Sequence, residues 1–527
     1  MYKLTIHLSD RTFTTDIEAG QSILSALQNA GVRDPEAPCG GNGKCGKCLA
    51  RVEGAVSEAQ DSEKKINPAW ETVRLVCQTV AHGDCGVYIS DKNSTASVAT
   101  GGSAADFEPD RWDEGNYGIA VDIGTTTVAS FLFELWTGKK IGTASGLNDQ
   151  RSFGADVITR SSWAMEQEGG LEQERLAIVN QINGMADALC AEAGISTDKV
   201  VLWSVAGNTI MQHIFCGLSP ATIAVAPFRP LDLFGNFRTA ESLGLRGGRD
   251  CRVYLPPAVA GYVGGDITAG LLSQGVCSDR KPYIFLDIGT NGEIVLFNGQ
   301  ESFCAACAAG PAFEGAHIEC GAGSLPTAIN KVVLKDGSIT VGTIGGLEPD
   351  CICGSGLLDA LSVMLKLGVV DETGRFTDDD EFEPEAAPFV DCDECRFYPV
   401  PGGKVYISDK DVREIQLAKS AIAAGIDVLL DEAKIKVEDI QTLYLAGGFG
   451  SNLNSASARD IGLIPKALAD RVVTLGNAAG AGAGAALLSA QARDTLASFN
   501  MKYIELSVSP LFTNYYMDEM TFDTEEL

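Results

Sequence analysis

The sequence predicts a multidomain α/β chain: a small β-rich unit with a cysteine loop, a linker, then two larger α/β lobes that repeat one theme. Three observations predict it. Residues 119–133 (IAVDIGTTTVASFLF) and 284–297 (IFLDIGTNGEIVLF) both read apolar run, Asp-Ile-Gly-Thr, polar turn, apolar run, and they align without a gap through the turn. Cys39, Cys45 and Cys48 form C-x5-C-x2-C, with Cys77 further on. Between these features, residues 91–116 (DKNSTASVATGGSAADFEPDRWDEGN) turn to Ser, Ala, Thr, Gly and acid. The expected domains are 1–92, a flexible linker 93–116, a first lobe 117–280, and a second lobe with a C-terminal tail 281–527.

With 527 residues the chain can bury ample core. Hydrophobic residues at 45% and charged ones at 21% suit a soluble globular protein. A formal net charge of −30 speaks against nucleic acid and anionic membranes as partners, since both require basic surface. Residues 478–488 are apolar but glycine-laced and too short to span a bilayer. The start, MYKLTIHLSD, alternates like a strand and lacks a signal-peptide core, so a cytoplasmic protein is expected. Without a secretory signal, 16 cysteines argue against a disulfide framework.

In chain order, residues 3–8 and 11–16 read as a hairpin around Ser9 and Asp10. Residues 22–30 read as a helix with Ile23, Leu24, Leu27 and Ala30 at helical spacing, ended by Gly31. The cysteine loop follows, and its fourth member lies in residues 73–80, which read as a strand. Four thiolates from a glycine-rich loop and one remote position are what a [2Fe–2S] cluster requires, and glycines let backbone N–H groups approach its sulfurs. Structural zinc favours paired short spacings instead. Cys85 reads as a buried non-ligand. Gly41-x4-Gly46-Lys47 imitates a phosphate loop, but Cys48 stands where Ser or Thr would hold a cation, and ligation explains the segment.

In the first repeat, Asp122 ends the entering strand and Gly124, Thr125 and Thr126 form the turn. In the second, Asp287 is followed by Gly289, Thr290, Asn291 and Gly292. Glycine turns let successive N–H groups cradle phosphate, threonines add donors, and a strand-end carboxylate can hold Mg2+ through water. Between the repeats come a polar loop into a helix (148–160), an amphipathic helix (171–193) stopped by Gly194, a strand (200–205) into Ala206-Gly207-Asn208-Thr209, and a glycine turn before Asp266 and a helix (267–272). After them, residues 307–315 and 352–356 place glycines near helix starts. Residues 411–426 read as a helix capped by Asp411, and residues 443–450 end in Gly447, Gly448 and Gly450. Residues 476–489 read as a helix for close packing. The pairs Cys304/Cys307, Cys351/Cys353 and Cys392/Cys395 match no second cluster, and the last lies in an acidic insertion.

Two acidic hairpins and a Gly-Gly strand end resemble the ATP site shared by actin, hexokinase, acetate kinase and heat-shock ATPases. The cysteine spacing resembles that of adrenodoxin-like ferredoxins. Together with NDQRSFGADVITR, AGNTIMQH, VGGD, GPAFEG, CGSG, DVREIQLAK and LAGGFG, the chain resembles the reductive activators of corrinoid proteins from anaerobic methyltransferase and O-demethylase systems. The resemblance implies an N-terminal β-grasp [2Fe–2S] ferredoxin-like domain followed by a two-lobed actin-like (ribonuclease H-like) ATPase. It implies ATP-driven one-electron reduction of cob(II)alamin to cob(I)alamin on a corrinoid protein, fed by a low-potential electron donor. Asp122 and Asp287 would position Mg2+ or water, the two turns would hold phosphates, Gly447, Gly448 and Gly450 would border the adenosine, and the four cysteines would carry the electron. A homodimer through the ATPase domain is implied by the family alone. The rival expectations are an ATP-driven donor to a different metalloenzyme, a redox-sensing small-molecule kinase, and a non-catalytic module whose nucleotide site switches docking.

Overall fold

Alternating burial sets the first sheet. Leu4 and Ile6 are fully buried on the strand Tyr2–His7, which pairs antiparallel with Thr12–Ile17 and parallel with Ala81–Tyr88. The chain is described here by a computed structural model covering residues 1–8, 11–32, 35, 37, 39–43, 46–67, 69–89, 107–273, 275–450 and 453–524. The Ser9-Asp10 turn, Cys45 and linker residues 93–106 therefore lie outside the described residues. Five strands, completed by Leu49–Val56 and Arg74–Leu75, grip the helix Ile23–Asn29 in a β-grasp fold. Ser22 caps that helix by accepting from Ser25 N, and Ile23, Leu24 and Leu27 bury its inner face.

Residues 73–80 are not the expected strand. After Arg74–Leu75 the backbone turns: Gln78 N and Thr79 N both reach Leu75 O, at 2.8 and 3.0 Å. The buried Glu63 carboxylate explains the break. It takes Arg74 Nε at 2.9 Å and Leu75 N at 2.8 Å, replacing a neighbouring strand as acceptor. Cys77 is thereby put in a turn.

The two halves of the duplication build two six-stranded sheets of the same design. In the first, Tyr117–Ile123, Thr127–Glu134 and Lys139–Leu147 form an antiparallel meander, and Val200–Gly207 then Arg252–Leu255 add in parallel. In the second, the meander is Tyr283–Ile288, Gly292–Phe297 and Ser302–Cys307, with Thr442–Ala446 and Val472–Gly476 parallel beside it. The registers match: Asp122 faces Ala206 and Asp287 faces Ala446. A glycine follows each alanine for the same reason. A Cβ on Gly207 would come 2.9 Å from Ile123 O, and one on Gly447 would come 2.5 Å from Asp287 Oδ1.

The helix Ala478–Leu488 crosses back to the first sheet. A Cβ on Gly482 would stand 1.8 Å from Ala269 O, and Leu487 meets Gly118. Ala492 and Leu496 of the next helix, Ala490–Ser498, pack with Tyr254 and Leu272 of the first lobe. Residues 478–498 thus pack on the first lobe although they follow the second in sequence. Residues 107–116, expected as flexible linker, are fastened to the same helices: Asp110 pairs with Arg493 at 2.6 Å and accepts from Ala490 N at 2.8 Å, while Trp112 packs beside Leu487.

The long helix Asp409–Ala433 corrects another expectation. Its N-cap is Ser408, and Asp411 is the third residue of a capping box, accepting from Ser408 N at 2.9 Å. The chain end lies over this helix, with Gln416 Nε2 donating to Met520 O and Lys419 Nζ to Thr521 O. No helix among the described residues is long and apolar enough to cross a membrane.

Candidate functional site

The two Asp-Ile-Gly-Thr turns face one another across a cleft of about 790 Å3. Of the nucleotide-site residues expected from sequence, Asp122, Gly124, Thr125, Thr126, Asp287, Gly289, Thr290, Asn291, Gly447 and Gly448 all line it. Gly292 and Gly450 do not. Gly292 opens a strand where a Cβ would strike Cys307 Sγ at 2.8 Å, so it serves packing behind the turn. Phe449, between the last two glycines, stacks on Phe313 with centroids 5.0 Å apart, and both rings line the cleft.

The first turn is braced from behind. Gly124 O accepts from Asn148 Nδ2 at 2.8 Å, Thr125 O from Arg160 Nη2 at 2.6 Å, and Thr126 O from Asn148 N at 2.8 Å. With these carbonyls held, the turn offers its hydroxyls to the cleft. Arg160 is fully buried and also donates to Gly154 O at 2.9 Å, so the loop around residues 148–160 is the strut that fixes the turn. Sequence reading noticed this loop without assigning it that task.

Acidic groups crowd the cleft floor. Asp122 and Asp287 keep part of their surface on the cleft but sit deep in the protein. Burial pushes Asp122 up to about 6, partly offset by a 2.9 Å hydrogen bond from Asn477 Nδ2. Burial, then the Asp122 charge, pushes Asp287 up to about 7. Asp266 reaches about 8 through burial and both of those charges, and Glu293 is raised well above the carboxylate range by burial, Asp266 and Asp287. Asp266 was visible in sequence at the end of a glycine turn; Asn477 was read inside the helix 476–489, whereas it is the N-cap of the helix Ala478–Leu488. Glu293 and Glu314 lie inside quoted motifs, IFLDIGTNGEIVLF and GPAFEG, but were assigned no role, because only the fold brings their side chains here. Among the described residues, no three His, Cys, Asp or Glu side chains converge on one ion.

The thiol loop lies on the β-grasp domain. Cys48 is buried and its Sγ stands 3.2 Å from Cys77 Sγ; Cys39 is half-buried nearby, and Cys45 falls outside the described residues. The Cys48 contact is the largest influence holding the Cys77 thiol below its ordinary range, and the Cys39 charge opposes it. The loop wraps closely: a Cβ on Gly43 would strike Gln78 Nε2 at 2.5 Å, and one on Gly46 would meet Ile66 at 2.8 Å. A thiol pair within reach of one iron, under a loop of left-handed glycines, fits a binuclear cluster in which each iron takes two thiolates. Cys85 is buried on the strand Ala81–Tyr88 opposite Leu4, and burial raises its thiol. The other pairs stay apart from this loop: Cys304, Cys307, Cys351 and Cys353 are buried, while Cys392 is exposed.

The β-grasp domain rests on the strut behind the first turn. Gln28 Nε2 of the β-grasp domain donates to Ser152 O at 2.5 Å, and a Cβ on Gly40 would come 3.2 Å from Phe153 O. Ser152 and Phe153 belong to the strut that braces the first turn.

Comparison with known proteins agrees with this architecture. Residues 281–527 match the model for the C-terminal domain of RACo, the ASKHA domain; residues 117–279 match the RACo middle region; residues 6–82 match the 2Fe-2S iron-sulfur cluster binding domain. The corrinoid activation enzyme RamQ of Eubacterium limosum is 34% identical over 446 residues, covering 81% of this chain and 74% of that one. The [Co(II) methylated amine-specific corrinoid protein] reductase of Methanosarcina barkeri is 25% identical over 450 residues, covering 78% and 77%. A solved structure, a reductive activator for corrinoid, iron-sulfur protein, matches with a TM-score of 0.70 at 29% identity, across 99% of this chain and 98% of its own. At such identity along most of both chains, this chain belongs to the family of corrinoid-protein activators.

Proposed function

We propose that this chain reductively activates a corrinoid protein, delivering one electron to cob(II)alamin to give cob(I)alamin, with ATP driving the step. The observation that carries the reading is the joining, in one chain, of a thiol loop suited to a [2Fe–2S] cluster and a duplicated phosphate-type cleft, the two sharing the strut at residues 148–160. The names of the relatives point the same way.

In this reading Cys39, Cys45, Cys48 and Cys77 hold the cluster, which when bound takes up and releases one electron at a time. The turns at Gly124, Thr125 and Thr126 and at Gly289, Thr290 and Asn291 hold phosphates, while Gly447 and Gly448 border the adenosine. Asp122 and Asp287 hold Mg2+ through water. The raised carboxyls support that role, since a hydrated cation beside Asp122 and Asp287 would offset the repulsion between these acidic groups. Hydrolysis then rests on positioning and charge neutralisation. Each ~59 mV of uphill one-electron transfer costs about 1.4 kcal/mol. Cleft closure on nucleotide is the means by which a ferredoxin-type donor meets that cost, by favouring a state of the complex in which cobalt is reducible. The protein works in the cytoplasm, takes electrons from a low-potential donor, and pairs as a homodimer through its ATPase lobes.

The test is anaerobic ultraviolet–visible spectroscopy of a cob(II)alamin-loaded corrinoid protein with this protein and a low-potential reductant, with and without Mg-ATP, beside Cys45→Ser. An ATP-dependent cob(I)alamin band that the variant lacks is the expected result. Absence of the band, with cluster intact and ATP hydrolysed, overturns the proposal in favour of another metalloprotein target.

A further inference from the structure

Glu314 closes the turn Pro311–Glu314, and its Oε2 is shared by both halves of the cleft. Thr126 Oγ1 of the first turn donates to it at 2.9 Å, and Thr290 Oγ1 of the second donates at 3.1 Å. These threonines are separated by the full first lobe in sequence, yet one carboxylate oxygen ties them. Its backbone is pinned on both sides. Gly315 follows with φ 80° and leaves no room for a Cβ, which would stand 2.4 Å from Ala322 O, while Phe313 O lies 1.9 Å from where a Gly354 Cβ would be. The side chain can turn; the segment that bears it cannot shift. The charge it meets from nearby elements is that of the buried Arg160.

Two hydroxyl donors from opposite lobes, converging on one anionic oxygen, make an anion position at the centre of the cleft. A carboxylate oxygen and a terminal phosphate oxygen are both charged acceptors of such donors. They cannot occupy the position together, because like charges at contact repel strongly in a low-dielectric cleft.

We propose that Glu314 is an internal stand-in for the terminal phosphate of the nucleotide, and that it sets the discrimination between nucleoside triphosphate and diphosphate. The inference rests on the nucleotide reading of the cleft. A ligand that ends short of Thr126 and Thr290 leaves the carboxylate in place and the lobes tied through it. A triphosphate takes over both threonines and turns the carboxylate out. The native residue therefore opposes triphosphate binding specifically, and its displacement is the event that distinguishes the two nucleotides to the rest of the molecule.

Calorimetric titration of the full, cluster-loaded chain with Mg-ADP and with a non-hydrolysable Mg-ATP analogue tests this. For Glu314→Ala, the analogue is expected to bind roughly tenfold tighter than to native protein, the scale of losing a competing charged hydrogen-bonded group, with ADP unchanged. Glu314→Gln keeps the shape and an acceptor without the charge, and is expected to shift the analogue in the same direction by less. An equal change for both nucleotides, or no change in either variant, overturns the proposal while leaving the nucleotide site intact. Failure of native protein to bind either nucleotide overturns the cleft reading itself, and this inference with it.

Discussion

The Glu174 carboxyl is fully buried on the helix Gly170–Ala193, and among the described residues neither oxygen accepts a hydrogen bond. Burial pushes it up to about 8, against the pull of the Arg160 charge. A raised carboxyl means the native state binds this proton more tightly than the unfolded chain. Its contribution to stability is therefore complete below the ordinary value near 4.5 and is lost as pH rises through about 8. Glu174→Gln is expected to flatten the fall in melting temperature between pH 6 and roughly 8.5; parallel curves for variant and native protein would refute it. At the thiol loop, Cys48→Ser or Cys77→Ser is expected to abolish the visible absorption of the cluster, and Cys85→Ser to preserve it. The meeting of Cys48 and Cys77 was legible because the C-x5-C-x2-C loop and a distant fourth cysteine were read together as one set. The acidic floor was half legible, since Asp122 and Asp287 end strands of a repeated motif whereas Glu293 and Glu314 acquire meaning from cross-lobe contacts. Asp411 was misread because both partners of a capping box are typical N-cap types, and only backbone geometry separates them.

Hairpins and amphipathic helices followed their periodicity and punctuation, so the two repeated hairpins and the Gly194 stop came out as read, while the third strand of each meander was not read. The exceptions are elements decided by tertiary contact. Residues 73–80 carry β-branched side chains, yet the Glu63 carboxylate takes the strand's hydrogen bonds. The small-residue helix Ala478–Leu488 announced close packing but not its destination, because an apolar surface all round names no partner. That packing predicts a contrast. Gly482→Ala places a methyl 1.8 Å from a backbone oxygen and is expected to cost about 1–3 kcal/mol in denaturant unfolding. Gly484→Ala meets only the Phe133 ring edge at 3.0 Å, and the gain in helix propensity is expected to leave it near neutral. Equal losses at both positions would show that the tight seam against Ala269 is not what the glycines serve.

Over the whole molecule the duplication was plain in sequence, while the return of residues 478–498 to the first lobe and the anchoring of Asp110 were hidden. Both are long-range contacts that leave no local pattern. The same holds for the seating of the β-grasp domain. Removing its hydrogen bond with Gln28→Ala is expected to raise amide exchange across residues 149–154 and to speed bleaching of the cluster in air. Exchange and bleaching at native rates would show the contact to be incidental. The seating has a further consequence. Gly40 lies against Phe153 O, so the rim of the thiol loop is covered by the segment that braces the first Asp-Ile-Gly-Thr turn. On the reading proposed above, a cluster in this loop is covered on that side by the same segment. The contact is thus a cover for the loop as well as a joint between the two parts of the molecule.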